Sequence, residues 1–381
     1  MKMSKKIGII TFHFADNYGA VFQCVALQKF LENIGHQVEV INYIPEYHTK
    51  SYRVVKTPRM LYQISIKEGN SCFKAVLHSV TNLKKNIHVY KLYHKKKNFR
   101  KYRDKYMNLT TPLYTIEDFT KIEKRYNAII LGSDQIWNKN ITNGKFDEVY
   151  FGYGFSQETR KISYAASVGN LIDEGDLPQF KKLLCNLSSV LVREKQLENQ
   201  IVEQINLKSN TVLDPVFLLA KEEWMEFCKQ GEGQRMKRPY LFVYRVLPDK
   251  KFYEAAKLLA EKKGLMIVEA NLKCTIGGVA DATAGPDDFL SLMYNAELIV
   301  TNSFHATALS IILEKEFYTH LPPNRASRLE NLLGMLELTD RELNDDKLLN
   351  LTNEKIEYSN VYQKLEIFKK ESVAYLKESL S

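Results

Sequence analysis

The side chains able to do chemistry sit in a few short polar stretches. Thr301-Asn302-Ser303-Phe304-His305-Ala306-Thr307 follows an apolar run and opens a helical pattern. A histidine there lies beside the free N–H groups and positive end of a helix, a place that attracts anions. Imidazole is also the side chain suited to proton transfer near neutral pH. The alternative is structural, with Ser303 capping the helix and His305 packed in its first turn. Arg193 ends the apolar run Val190-Leu191-Val192, where a guanidinium can clamp a carboxylate or phosphate, or else pair with Glu194. Gly132-Ser133-Asp134-Gln135-Ile136-Trp137-Asn138 offers Asp134 and Gln135 to sugar hydroxyls and Trp137 to a sugar face. It reads equally as a turn capped by Asp134 with Trp137 as core filler. In Asp16-Asn17-Tyr18-Gly19 the glycine permits a tight backbone and Asp16 could serve as a base, with the same structural alternative.

These stretches need strands to hold them. Lys6–Phe12 is a buried strand, Val21–Ile34 a helix stopped by Gly35, and Gln37–Tyr43 a second strand, together a Rossmann-like start. Ala128–Leu131, Lys161–Ala166 and Val190–Val192 continue the series. Each ends in one of the polar stretches or, at Ser167-Val168-Gly169, in another. In open parallel sheets the loops after strand C-termini form the ligand crevice. A second series runs through Tyr240–Arg245, Leu265–Glu269, Glu297–Thr301 and Phe317–Thr319. The expected fold is α/β, two Rossmann-like domains facing a central cleft. Residues 1–210 form the first, interrupted by a helical basic insertion at about 46–125. Residues 211–345 form the second, with Asp214-Pro215 at the change. A helical tail, 346–381, packs back on the first. A stripe at Phe73, Val76, Leu77, Val80, Leu83, Ile87 and Tyr90 predicts a helix in the insertion.

With 381 residues the chain is long enough for two domains, and no apolar run is long enough to span a membrane. The basic start leads into a short strand, not a signal core, so a cytoplasmic protein is expected. The five scattered cysteines contain no CxxC pair, and the eight histidines lack HxH or HExxH spacing, so no metal is expected. Neither GxGxxG nor a P-loop occurs, which weakens a nucleotide reading. Between Lys84 and Lys105 ten cations face only Asp104, an excess of +9 that equals the net charge of the whole chain. Interleaved with Tyr90, Tyr93, Phe99, Tyr102 and Tyr106, this stretch reads as a solvated helix, as an interfacial helix on anionic lipid, or least readily as a nucleic-acid surface.

Taken in order, Ile7–Ala20, Leu131–Asn138, Ser163–Gly169, Val192-Arg193-Glu194, Val212–Pro215 and Val300–Ala308 resemble the polysaccharide pyruvyl transferase family, over about residues 6–340. The resemblance implies a GT-B-like fold. It also implies transfer of pyruvate from phosphoenolpyruvate to two hydroxyls of one sugar. The family's first-domain arginine matches Arg193, and its Arg-x-His element falls on Ser303-Phe304-His305, where serine replaces the arginine. Arg325 or Arg328 is then expected to supply the second cation.

On this reading His305, Arg193 and Asp16 are catalytic, with His305 as the acid. Asn302, Ser303, Phe304, Arg325 and Arg328 bind the donor. Asn17, Tyr18, Ser133, Asp134, Gln135 and Trp137 bind the acceptor. No cofactor is needed beyond phosphoenolpyruvate as co-substrate. The expected partners are a lipid-carrier-linked sugar of capsular or exopolysaccharide synthesis and, through Lys84–Lys105, the anionic inner face of the plasma membrane; nucleic acid is not expected. A nucleotide-sugar glycosyltransferase of the GT-B type is the alternative.

Overall fold

Short runs rich in Ile, Val, Leu and Ala form the central strands, such as Ala128–Leu131 and Leu298–Thr301, which are buried at every position because both faces of a parallel sheet are covered. The computed structural model describes residues 4–49, 83–231, 238–246, 249–270, 278–321, 327–343 and 355–381. The first sheet contains β1 (Lys6–Ile10), β2 (Gln37–Val40), β3 (Ala128–Leu131), β4 (Arg160–Ala166), β5 (Ser189–Val192) and β6 (Asn210–Thr211), in the order β2-β1-β3-β4-β5-β6. The second contains β7 (Tyr240–Tyr244), β8 (Met266–Glu269), β9 (Val279–Ala280), β10 (Leu298–Thr301) and β11 (Phe317–Thr319), in the order β11-β10-β7-β8-β9. Every pairing between these strands is parallel. The chain thus builds the expected α/β fold from two parallel, Rossmann-like sheets.

Both orders reverse direction once. In the first sheet the chain leaves β1 toward β2 and returns on its other side at β3. In the second it leaves β7 toward β8 and returns on its other side at β10. Crevices open at such switch points, beyond the strand C-termini. The loops after β1 and β3 therefore belong to one crevice, and those after β7 and β10 to the other.

Six helices hold these loops: α1 (Tyr18–Asn33), α2 (Leu83–Tyr106), α3 (Pro286–Asn295), α4 (Phe304–Ile312), α5 (Ser327–Met335) and α6 (Tyr358–Leu380). One apolar core runs through the boundary between the domains, from Ile7 and Phe22 to Phe289 and Leu309 and on to Leu365 and Leu376 of α6. The tail helix rests on the first sheet: Arg160 donates to the Ser379 carbonyl at 3.0 Å, and the Leu213 N–H donates to Ser372 Oγ at 2.9 Å.

The basic helix α2 extends to Tyr106. The part of the predicted stripe from Phe73 to residue 82 lies outside the described residues. Phe99 and Tyr102 are buried, and Asn98 Nδ2 donates across the boundary to the Thr283 carbonyl at 2.8 Å. Lys95 turns inward, 4.8 Å from the Tyr18 ring centre, so it does not belong to the outward cationic face. Burial pushes its ammonium down to about 8, against the opposing pull of Asp16 and Asp281. No helix among the described residues is long and apolar enough to cross a membrane.

Candidate active site

Two helices begin at the cleft from opposite sides. Asn17 caps α1, its Oδ1 accepting from the Ala20 N–H at 3.2 Å. Ser303 caps α4, its Oγ accepting from the Ala306 N–H at 3.4 Å. Asn302 ties the loops of the second switch point together, its Oδ1 accepting from the Val246 N–H at 2.7 Å. Between these groups lies a cavity of about 180 Å³. Its walls include Asn17, Asp134 and Gln135 from one domain and Asn302, His305 and Arg328 from the other. That space suits a small ligand with few atoms. Two helix N-termini, an imidazole and a guanidinium make its walls favourable to an anion.

The centre of charge is Asp214, whose carboxylate is wholly buried. Its Oδ2 accepts from Ser133 Oγ at 2.9 Å and from Arg193 Nη1 at 2.9 Å, and it faces His305 Nε2 at 3.5 Å. Oδ1 accepts from the Val216 N–H at 3.2 Å. One oxygen thus joins the arginine of the first domain to the histidine of the second. Burial alone would raise the carboxyl pKa, but the neighbouring His305 imidazole and Arg193 guanidinium outweigh it and hold Asp214 well below the usual carboxylate range. Arg193 is held among three carboxylates: Asp214, Glu194 at 3.3 Å and Asp134 at 4.0 Å. Its guanidinium lies 5.1 Å from the Phe304 ring centre. Burial opposes its charge, but Glu194 and Asp214 raise its pKa further still, so it stays cationic.

His305 also depends on Gly19. A Cβ built on Gly19 would stand 2.1 Å from His305 Nδ1, so a larger residue there would displace the ring. This requirement is a close approach and not a special backbone angle, since Gly19 sits in the first turn of α1.

Several sequence-based assignments change. Trp137 is fully buried, stacked on Phe151 at 5.2 Å, with its indole N–H donating to the Tyr150 carbonyl. It fills the core and meets no sugar. Tyr18 is buried at the domain boundary, stacked on Phe289 at 4.1 Å, its hydroxyl donating to the Ala284 carbonyl. Ser133 is inaccessible and serves Asp214 instead of an acceptor. Asp16 is not a free base: Arg103 pairs with it at 3.1 Å. Of the two replacement cations, Arg328 lines the cavity, whereas Arg325 lies outside the described residues.

The sequence places Asp214 at the domain change and within Val212–Pro215 of the family resemblance, but not as a hub, because its partners come from three separate loops. The sequence offers Gly19 as a residue that permits a tight backbone, and its contact with His305 has no sequence signal. Glu194 stands in the sequence as a partner for Arg193 and as part of Val192-Arg193-Glu194, and its Oε1 also accepts from Ser167 Oγ at 2.7 Å.

The model of a family described as "Polysaccharide pyruvyl transferase" matches residues 17–320. No curated protein matches the chain. Among solved structures, the chain is similar to UDP-GlcNAc 2-epimerase from Methanocaldococcus jannaschii, at 13% identity and a TM-score of 0.49, covering 92% of this chain and 93% of that one. The corresponding epimerase of Rickettsia bellii gives 11% identity and a TM-score of 0.49, covering 99% and 97%. The ADP-heptose lipopolysaccharide heptosyltransferase II of E. coli gives 11% and 0.39, covering 97% and 99%.

Proposed function

The chain belongs to the polysaccharide pyruvyl transferase family, and from that premise we propose that it moves the enolpyruvyl group of phosphoenolpyruvate onto two hydroxyls of one sugar. The observation that carries the reading is the convergence of Arg193 and His305 on Asp214 Oδ2 beside a small cavity between two helix N-termini. A small three-carbon anion matches that volume and those donors.

The enol carbon of the donor is a poor electrophile until its methylene carbon takes a proton. His305 supplies that proton, making the methylene a methyl group and leaving positive charge on the carbon that carries the phosphate. One sugar hydroxyl bonds to this carbon and gives up its proton. The C–O bond to phosphate breaks, and the neighbouring hydroxyl closes the ketal with loss of its own proton. Of the two hydroxyl protons, one restores His305 and the other leaves with phosphate. Arg328 supplies cationic charge at the donor in place of the arginine that is serine at position 303. Arg193 does not line the small cavity, so in place of the direct clamp expected from the sequence it is a positioning residue, acting through its contacts with Asp214 and Phe304. Asn17, Asp134 and Gln135 orient the hydroxyls.

The finer reading sets this reaction in capsular or exopolysaccharide synthesis, on a lipid-linked sugar at the inner membrane face. Helix α2 supports it by presenting Tyr90, Tyr93, Lys97, Arg100 and Lys101 outward, spaced along one face.

The test is release of phosphate from phosphoenolpyruvate in the presence of glycan acceptor. Wild type should release it, and His305→Ala should release it at least 100-fold more slowly. An unimpaired His305→Ala would remove His305 from the mechanism. Binding of a nucleoside diphosphate with no binding of phosphoenolpyruvate, seen by calorimetry, would instead identify a glycosyltransferase.

A further inference from the structure

On the far side of Phe304 and Arg328 from the small cavity lies a second one of about 490 Å³. Both residues line both spaces. The second cavity is in the size range of sites for whole sugar rings or drug-sized molecules. Its remaining walls include Arg193 and Glu194 at the end of β5, and Phe368 and Tyr375 from α6. That last helix lies beyond the residues matched by the family model.

The polar groups in this wall are of both kinds: the carboxylates of Glu194, Glu198 and Glu371, the cations of Lys195 and Arg328, and the amide of Asn331. A simple anion would meet the carboxylates, and a simple cation the lysine and arginine. A sugar hydroxyl both donates and accepts, so neighbouring ring hydroxyls can pair with either kind. The aromatic faces of Phe304, Phe368 and Tyr375 suit the C–H face of a pyranose.

We infer that this cavity is a glycan subsite holding a sugar ring of the acceptor next to the one that is ketalised. The inference rests on the proposed transfer reaction for the word acceptor, but not for the sugar. It implies that an oligosaccharide is a better acceptor than a single sugar.

The test uses the full chain and saturation-transfer NMR with the methyl glycosides of glucose, galactose, mannose and N-acetylglucosamine, without phosphoenolpyruvate. At least one glycoside should receive saturation from wild type. Tyr375→Ala and Phe368→Ala should each reduce that signal at least fivefold, and Tyr375→Phe should preserve it. Both positions are half-buried, and far-UV circular dichroism identifies the variants that keep their fold. No signal with wild type, or equal signals with the folded alanine variants, would overturn the inference. Phosphoenolpyruvate binding is measured separately by calorimetry. If it fails while the glycoside signal follows the variants, the transfer reaction is wrong and the subsite stands.

Discussion

Gly19 and His305 meet across the domain boundary, so close that a single methyl group on Gly19 would stand 2.1 Å from His305 Nδ1. The N-terminal turn of α1 in one domain is therefore shaped around the imidazole of the other. Gly19→Ala should leave α1 at least as stable, because alanine is the better helix former by about 1 kcal/mol. The same methyl must push the ring or part the domains. A displacement near 1 Å from reacting groups costs about 100-fold in rate. We expect phosphate release to fall by about that factor while the urea midpoint stays within error of wild type. A fully active Gly19→Ala would mean that the ring is free to stand elsewhere during turnover.

Asp214 is the next link, because it holds His305 and Arg193 on one oxygen. Removing one member of a buried charged group leaves the others uncompensated, at about 3–5 kcal/mol. Asp214→Asn keeps the shape and should lose stability of that order in urea unfolding at pH 7. The sign of the pH effect follows from its lowered carboxyl pKa. Stability from Asp214 is present above the unfolded value of about 3.9. It is lost as pH falls below that and the folded carboxylate takes a proton. Wild type should therefore approach the variant below about pH 4. Parallel stability curves for the two proteins from pH 7 to pH 3 would contradict this account of the hub.

What the sequence could tell was set by what is local. Ala128–Leu131 and Glu297–Thr301 are legible as strands because short apolar runs leave little else. The polar residues that follow them were legible as crevice residues because parallel strands end there. The two-residue edge strands at Asn210 and Val279 are too short to carry a pattern. Trp137 and Gln135 lie two residues apart in one loop, yet the indole faces the core while Gln135 lines the cavity. Nothing local distinguishes them, since the direction is set by Phe151 and Phe180 packing from elsewhere in the chain. Asp214 gathers partners from positions 133, 193 and 305, a convergence visible only after folding.

His13 gives a second, separable pH effect. It is enclosed, with Nδ1 at 3.1 Å from the Thr11 carbonyl and Nε2 at 3.0 Å from the Asn42 side chain. Burial, only partly offset by those hydrogen bonds, pushes its imidazole down to about 4. Between the unfolded value of about 6.5 and that folded value, the unfolded chain binds the extra proton. Stability therefore falls as pH drops through this window, by roughly 3 kcal/mol at its lower end. Thermal unfolding of wild type should show the loss between pH 6.5 and pH 4, above the range in which Asp214 acts. His13→Asn should flatten the curve there. An unchanged slope in the variant would assign the titration to another group.

The outward face of α2 makes the last prediction. Tyr90 and Tyr93 are 57% and 43% exposed, and Lys97, Arg100 and Lys101 share their side of the helix. Asp104 lies 3.6 Å from Arg100, but both ends are in water and the pair neutralises little. Each cation near an anionic lipid surface contributes about 1 kcal/mol, so three together strengthen partitioning by about 100-fold. Vesicles of phosphatidylcholine with phosphatidylglycerol should therefore bind the protein, and vesicles of phosphatidylcholine alone should bind it far less. Replacing Lys97, Arg100 and Lys101 by Glu should abolish the difference, with phosphate release from a water-soluble acceptor unchanged. Lys95 faces the Tyr18 ring, so Lys95→Gln should leave vesicle binding as it is. Equal sedimentation of wild type and the triple variant with anionic vesicles would reduce the helix to a solvated surface. The transfer reaction would then have to meet its acceptor without help from the membrane.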